Sequence, residues 1–197
     1  IDRPIRPLFP EGFRNETFIV PTLLSVDAEN APNIPALIGT SAALCISDIP
    51  FSTPVAGVRL GRKDGKYIIN PNNEQKAKSK LNLNLSGTKD AVMMVEAGSQ
   101  EISEKEMLEA IMFGHEEIKK IVAFIEEIVA EVGKPKMEIA LKSVPEDIDA
   151  AVRAFAVDKM VQAIKTYDKQ ERLDNMDAVE AETKEYFAEI YPDNAKD

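Results

Sequence analysis

The chain has 197 residues, 44% of them hydrophobic and 29% charged, enough for one full-sized domain or one and a half, and no apolar run approaches the roughly 18 residues of a membrane span. A net charge of −10 argues against non-specific nucleic-acid binding by the bulk chain, yet the acid belongs to one half: residues 1–100 carry 11 Lys+Arg against 10 Asp+Glu (net +1), residues 101–197 carry 13 against 24 (net −11). A near-neutral first half can still bind phosphate if its arginines converge.

The opening "IDRPIRPLFPEGF" sets Arg3 and Arg6 three apart among Pro4, Pro7 and Pro10. On a helical turn both guanidiniums would share a face and could grip successive phosphates. The prolines predict a last helical turn that breaks into extended chain, with Gly12 releasing it toward a strand. The alternative is that both arginines pair with Asp2, Glu11 or helix-end carbonyls.

Residues 16–26, "ETFIVPTLLSV", are apolar and β-branched and predict a strand buried on both faces, with Pro21 marking an edge or bulge. "NIPALIGTSAALCIS" follows as a helix with Asn33 as N-cap, Leu37, Ala43, Leu44 and Ile46 on helical spacing, and Gly39 and Ala42 permitting close approach to a sheet. "PVAGVRLGRKDGKYIIN" reads as a hairpin turning at Asp64-Gly65, with a return strand at 67–69. "KLNLNLSGT" and "DAVMMVEAG" supply two more strands.

From Ser103 the period changes. Ser103 and Glu106 form a capping box, Gly133 is placed at C′, and Leu108, Ile111, His115, Ile118, Val122, Ile125, Val129 and Val132 make one apolar stripe of a helix about 30 residues long. After the Pro-punctuated "GKPKMEIALKSVPED", helical patterns over 147–166 and about 175–190 predict a separate helical domain. The boundaries expected are 1–143 for an α/β core and 144–197 for the all-α part.

The chemistry-bearing residues are few. The glycines of "GVRLGRKDG" fall inside the hairpin and lack a following GK[ST], so they do not form a nucleotide loop. His115, the single histidine, lies in the apolar stripe without ligand-spaced partners and reads as a core histidine, Cys45 as a buried small hydrophobe, and Glu116/Glu117 and Glu126/Glu127 as a solvated face. There is no G-x-S-x-G and no second histidine. The local motifs contain no recognisable catalytic site and no metal set. The lone cysteine and an N-terminal stretch with neither basic nor apolar leader character predict a cytoplasmic setting.

Several stretches resemble bacterial polynucleotide phosphorylase, in order along the whole chain: "IDRPIRPLFPEGF", "IPFSTPVAGVRLGR", "YIINP", "LSGTKDAVMMVEAGSQEISEKEMLEAIMFGHEEI" and "TYDKQER". The resemblance implies an α/β, RNase PH-like core of the ribosomal protein S5 domain 2-like type, followed by the start of a small all-helical domain. The chain then corresponds to the later part of the first of two cores. It also implies phosphate-dependent 3′ to 5′ degradation of single-stranded RNA to nucleoside diphosphates by a homotrimer with Mg²⁺, in company with other RNA-degradation proteins and away from any membrane. In the resemblance, the acids that hold Mg²⁺ belong to the second core, and alignment on Gly87 puts Lys76 and Asn82 at their positions here. The segment is therefore expected to be non-catalytic, with Arg3 and Arg6, and in second rank Arg59 and Arg62, binding RNA or phosphate. The rival expectation is a non-enzymatic scaffold whose long amphipathic helix docks a partner.

Overall fold

The computed structural model describes residues 1–192, which divide into two compact units, Ile1–Leu141 and the residues from Lys142 onward. In the first unit, four antiparallel strands take the order β2-β1-β3-β4: β1 (Ala56–Lys63), β2 (Lys66–Ile69), β3 (Leu81–Gly87) and β4 (Val92–Ser99). Asp64 and Gly65, with φ of 51° and 78°, close the β1–β2 hairpin at the expected dipeptide, the conformation a type I′ turn requires. The α/β class expected from the sequence is the one the structure has.

Alternation along the strands gives the sheet two unlike faces. Val58 and Leu60 on β1 pair with Leu85 and Leu83 on β3, and all four are buried under α4 (Glu104–Val132). Gly114 of α4 lets the helix sit close: a Cβ there would lie 2.8 Å from both Leu60 Cδ1 and Leu85 Cδ2. The capping box of Ser103 and Glu106 starts this helix as read from the sequence. Its buried stripe is Ala110, Gly114, His115, Ile118, Val122 and Ile125, whereas Leu108 and Val132 are exposed, because a straight helix drifts off a strict seven-residue repeat over seven turns. Gly133 is the C-cap in extended conformation, not a left-handed C′.

The other sheet face meets α2 (Asn33–Ile46). Here the close approach is made by the strand, since a Cβ on Gly57 would come within 2.8 Å of Leu37 Cδ2, while the expected Gly39 faces open space. Asn33 is the first helical residue and Pro32 the N-cap, which has no side-chain bond to offer. The C-terminal end of α2 is tied instead: Lys136 Nζ donates to the carbonyls of Leu44, Cys45 and Ser47 at 3.0, 2.8 and 2.8 Å. Ile5, Leu37, Leu44, Cys45, Phe51, Val55 and Ile125 form a second core cluster beside it.

Residues 16–26 are the clearest departure from the sequence reading. They form no strand; Phe18, Val20, Leu24 and Val26 are exposed, and among the described residues no strand pairs with them. An apolar run becomes a buried strand only when neighbours satisfy its backbone and cover its faces, and propensity supplies neither. At the start of the chain, α1 (Asp2–Ile5) passes through a 3₁₀ turn at Arg6–Leu8 into extended chain at Phe9, and Gly12 has φ 80°, as the prolines and the glycine predict. A short α3 (Asn73–Ala77), capped reciprocally by Asn72 and Gln75, was not anticipated.

The second unit is a helical pair, α5 (Glu146–Ile164) and α6 (Lys169–Ile190). Asp168 caps α6 by accepting from the amides of Gln170 and Glu171, which starts the helix six residues earlier than the apolar pattern suggests. Phe155 stacks on Tyr186 with ring centroids 4.4 Å apart, and Lys159 reaches both the Phe155 ring and the Glu182 carboxylate.

Candidate anion-binding face of the sheet

Arg59 is the centre of the polar sheet face. Its register partners across β3 and β4 are Asn84 and Glu96. Arg59 Nε donates to Asn84 Oδ1 at 2.9 Å, and Asn84 Nδ2 points to Glu96 Oε2 at 3.4 Å, a relay that fixes the guanidinium through its Nε and leaves both terminal nitrogens without a bonded partner among the described residues. Asn70 clamps the same residue from the hairpin side: its amide donates to the Arg59 carbonyl at 2.7 Å and its Oδ1 accepts from the Arg59 amide at 3.1 Å. To do so Asn70 takes φ 48°, a left-handed conformation that asparagine tolerates better than most residues.

Arg59 lines two cavities. One, about 860 Å³, is an apolar groove between residues 18–23 and α2. The other, about 280 Å³, brings Arg59, Asn70 and Lys76 together with Asn30 and Asn33. Every charged side chain that lines the smaller cavity is a cation. Lys76 makes no ion pair among the described residues, whereas Lys78 on the following turn is engaged by Glu74. Two acids close to Asn30 in the chain are engaged by side chain or backbone: Asp27 accepts from the Asn30 side-chain amide at 2.7 Å and Glu29 accepts from the Asn73 backbone amide. The Asp27 carboxyl is held below the ordinary aspartate range, first by the Glu29 amide and then by Asn30.

Arg62 belongs to the opposite face. Three residues from Arg59 on the same strand, it points toward α4, where its Nη2 meets Glu106 Oε1 at 2.6 Å and its guanidinium carbon lies 6.0 Å from the centre of the Tyr67 ring. Its Nε is buried without a partner. Tyr67 adds a hydrogen bond from its hydroxyl to the Glu106 carbonyl at 2.9 Å, and burial pushes its phenol pKa up. Arg62 thus fastens the hairpin to the long helix, and the two hairpin arginines named from the sequence do not converge.

At the chain start Arg3 and Arg6 are both exposed. Arg6 forks onto Asp2, its Nη2 at 2.8 Å and its Nε at 3.2 Å, the acid partner foreseen as the alternative to phosphate binding. Arg3 has no ion-pair partner among the described residues. His115 donates from Nε2 to the buried Thr88 carbonyl at 3.0 Å, and Cys45 is buried with its thiol pKa pushed up by desolvation, so both pack as core residues.

Lys76 and Asn82 bear on the question of a metal. Lys76 lines the smaller cavity and Asn82 is exposed on β3, so neither position offers a carboxylate, and the described residues contain no cluster of three His, Cys, Asp or Glu near enough to share an ion. The donor set does not suit Mg²⁺, which takes oxygen ligands, most often carboxylates. It does suit the partner of Mg²⁺ chemistry, an anion, because its charged groups, a lysine and a pre-oriented arginine, present donors alone. The residues that sequence reasoning missed here are Lys76 as a binding group, Asn70 and Asn84. The left-handed Asn70 of "YIINP" is the one signal that could have marked them.

Residues 53–117 match the family model described as the 3′ exoribonuclease family, domain 2. Over all 197 residues the chain is 54% identical to polyribonucleotide nucleotidyltransferase 2 of Alkaliphilus metalliredigens, of which it covers 28%. It is 56% identical to the polyribonucleotide nucleotidyltransferase of Clostridioides difficile over 95% of this chain and 27% of that one, and 53% identical to that of Heliobacterium modesticaldum over the whole chain and 28% of the relative. The chain therefore spans little more than a quarter of the length of these relatives, and its resemblance to bacterial polynucleotide phosphorylase rests on matches along its entire length. A crystal structure of rice Rrp46 aligns at TM-score 0.47 and 19% identity over 53% of this chain and 51% of that one, too loosely for any functional reading to rest on it.

Proposed function

We propose that this chain is the later part of the first RNase PH-like core and the start of the helical domain of a polyribonucleotide nucleotidyltransferase, with residues 1–143 in the core and 144–197 in the helical part. The parent activity in this reading is phosphorolysis of RNA from the 3′ end with release of nucleoside diphosphates. Identity above 50% along the full 197 residues to proteins of that name is the observation that carries it. The full enzyme is read as a cytoplasmic homotrimer acting on single-stranded RNA with inorganic phosphate as co-substrate, alongside other RNA-degradation proteins. Mg²⁺ would be held by carboxylates elsewhere in the protein and would stabilise charge on the reacting phosphodiester.

Within that enzyme the segment has a structural and RNA-guiding role and no catalytic residue. Arg3, exposed and without an ion-pair partner, and Arg59, with its terminal nitrogens open, are the foremost phosphate-facing groups. Arg6 can join them by exchanging its exposed carboxylate for a phosphate, an exchange of small cost because exposed ion pairs contribute about 0–1 kcal/mol. Arg62 ranks last, since release from Glu106 would unfasten the hairpin.

The test is made in the full-length protein. Replacing Arg3 and Arg6 together by Ala should weaken RNA binding and slow phosphate-dependent diphosphate release while the assembly survives. Unchanged affinity and rate in an intact assembly would remove the RNA role of α1. Absence of any phosphate-dependent diphosphate release from the full-length wild type would favour the scaffold reading over the enzyme.

A further inference from the structure

We propose that residues 134–137 are a releasable strap, fastened by Lys136, that closes the C-terminal end of α2 and with it one wall of the apolar groove of about 860 Å³. A helix leaves its last carbonyls without intrahelical donors, and a cation placed there also complements the helix dipole. α2 has no basic residue in its own last turn, and Ser47 ends it in extended conformation. The charge comes instead from Lys136, 91 residues beyond Cys45.

The strap runs along residues 44–48 and leaves none of their carbonyls open. The Lys134 amide donates to the Ile46 carbonyl at 2.9 Å and the Met137 amide to that of Asp48 at 2.8 Å. Between them the Lys136 ammonium, which has three N–H groups, meets the carbonyls of Leu44, Cys45 and Ser47. Five consecutive carbonyls thus accept from one short segment. That segment has little else to hold it: Lys134, Pro135 and Met137 are exposed, Lys136 is half-buried, and none of the four belongs to a core cluster. Segments with polar bonds and little apolar burial open well below the free energy of global unfolding. Leu44 and Ser47, whose carbonyls the ammonium holds, line the groove, and the strap continues into the residues that lead to α5. One two-state element is therefore open to bias from the groove wall and from the chain beyond it. Its state is read without substrate, so it stands apart from the activity proposed above.

Cys45, 2% exposed in the core cluster under the end of α2, is the reporter. In the full-length protein its alkylation by iodoacetamide is followed by peptide mass spectrometry, beside amide exchange at Leu83 and Leu85 of β3. Local release predicts alkylation that is insensitive to sub-denaturing urea, while exchange in β3 rises with it. Lys136→Met, which has no donors, should speed alkylation about tenfold or more, as expected for loss of charge-assisted hydrogen bonds, and leave it insensitive to urea. In Lys136→Ala, propylammonium should slow alkylation again, and tetramethylammonium, a cation without N–H groups, should not. The wild type supplies a measurement that needs no variant: N-hydroxysuccinimidyl acetate should acylate Lys136 at least several times more slowly than Lys134. Alkylation unchanged in Lys136→Met, alkylation that follows β3 exchange in urea, no rescue by propylammonium, or equal acylation of the two lysines would each overturn the strap.

Discussion

The two faces of the sheet are built from the same strands and differ in everything else. Toward α4, Val58, Leu60, Leu83 and Leu85 are buried and interdigitate with a helix brought close by Gly114. Toward α2, the intervening residues of those strands are Gly57, Arg59, Asn82, Asn84, Ser86 and Glu96, a polar surface with a cationic cavity at its edge. The lesson is that one face supplies the stability that lets the other hold an arginine poised and unpaired. Arg59 and Arg62 state it at the scale of two residues: three positions apart, one faces the cavity and the other is locked to Glu106.

This division can be broken most forcefully from the apolar side. Leu85→Ala should cost about 3–4 kcal/mol, because the residue is fully buried between β1, β4 and α4 and the site cannot collapse around the gap. Urea denaturation measures it. Gly114→Val should cost about 1–3 kcal/mol by overpacking against Leu60 and Leu85, with Tm falling accordingly. Lys136→Met should cost about 2 kcal/mol, since it leaves three carbonyls at the end of α2 without their shared charged donor. That last loss should loosen the helix that covers the polar face, so hydrogen exchange should speed up at Ala43 to Ile46 before it does in β3.

The polar side should answer differently. Asn84→Ala should cost only about 1 kcal/mol of stability, the worth of one neutral hydrogen bond, while freeing the Arg59 guanidinium to move. Phosphate affinity should therefore fall severalfold in a protein that still melts near the wild-type temperature. Equal effects on melting and on affinity would mean that the two faces are not separable.

How much of this was legible in the sequence follows the range of the forces involved. The hairpin turn, the long helix and its capping box depend on neighbours within four residues, and Asp64-Gly65, Ser103 and Glu106 signal them directly. The extended segment 16–26 depends on pairing with distant strands, so its β-branched composition could not say what would cover it. Close approach between α2 and the sheet was sought in Gly39 on the helix and is made by Gly57 on the strand, because which of two facing elements gives up its Cβ is settled only when they meet. For the candidate site, the arginines could be named, but Arg59 and Arg62 looked equivalent until strand alternation put them on opposite faces. Lys76 drew notice only as a position without a carboxylate, and its place beside Arg59 is a product of the chain folding α3 back onto β1.

The smallest effect tests the locked arginine. The Glu106 carboxyl is held below the ordinary glutamate range, chiefly by the Ser103 amide, then by the Ser103 hydroxyl and by Arg62. A carboxyl with a lowered folded-state pKa adds stability that is present above its unfolded value, about 4.3, and is lost as pH falls through the folded value. Glu106→Gln keeps the capping-box geometry and removes the charge. At neutral pH the variant should therefore be slightly less stable than wild type, and the gap should close as acid protonates Glu106, leaving the variant with the shallower fall in Tm on acidification. Arg62→Met made in the Glu106→Gln background should then cost less than the same change in wild type, because the charge it would strand is already gone. If the two costs are equal, the pair between hairpin and long helix contributes nothing, and Arg62 becomes as available to an anion as Arg59.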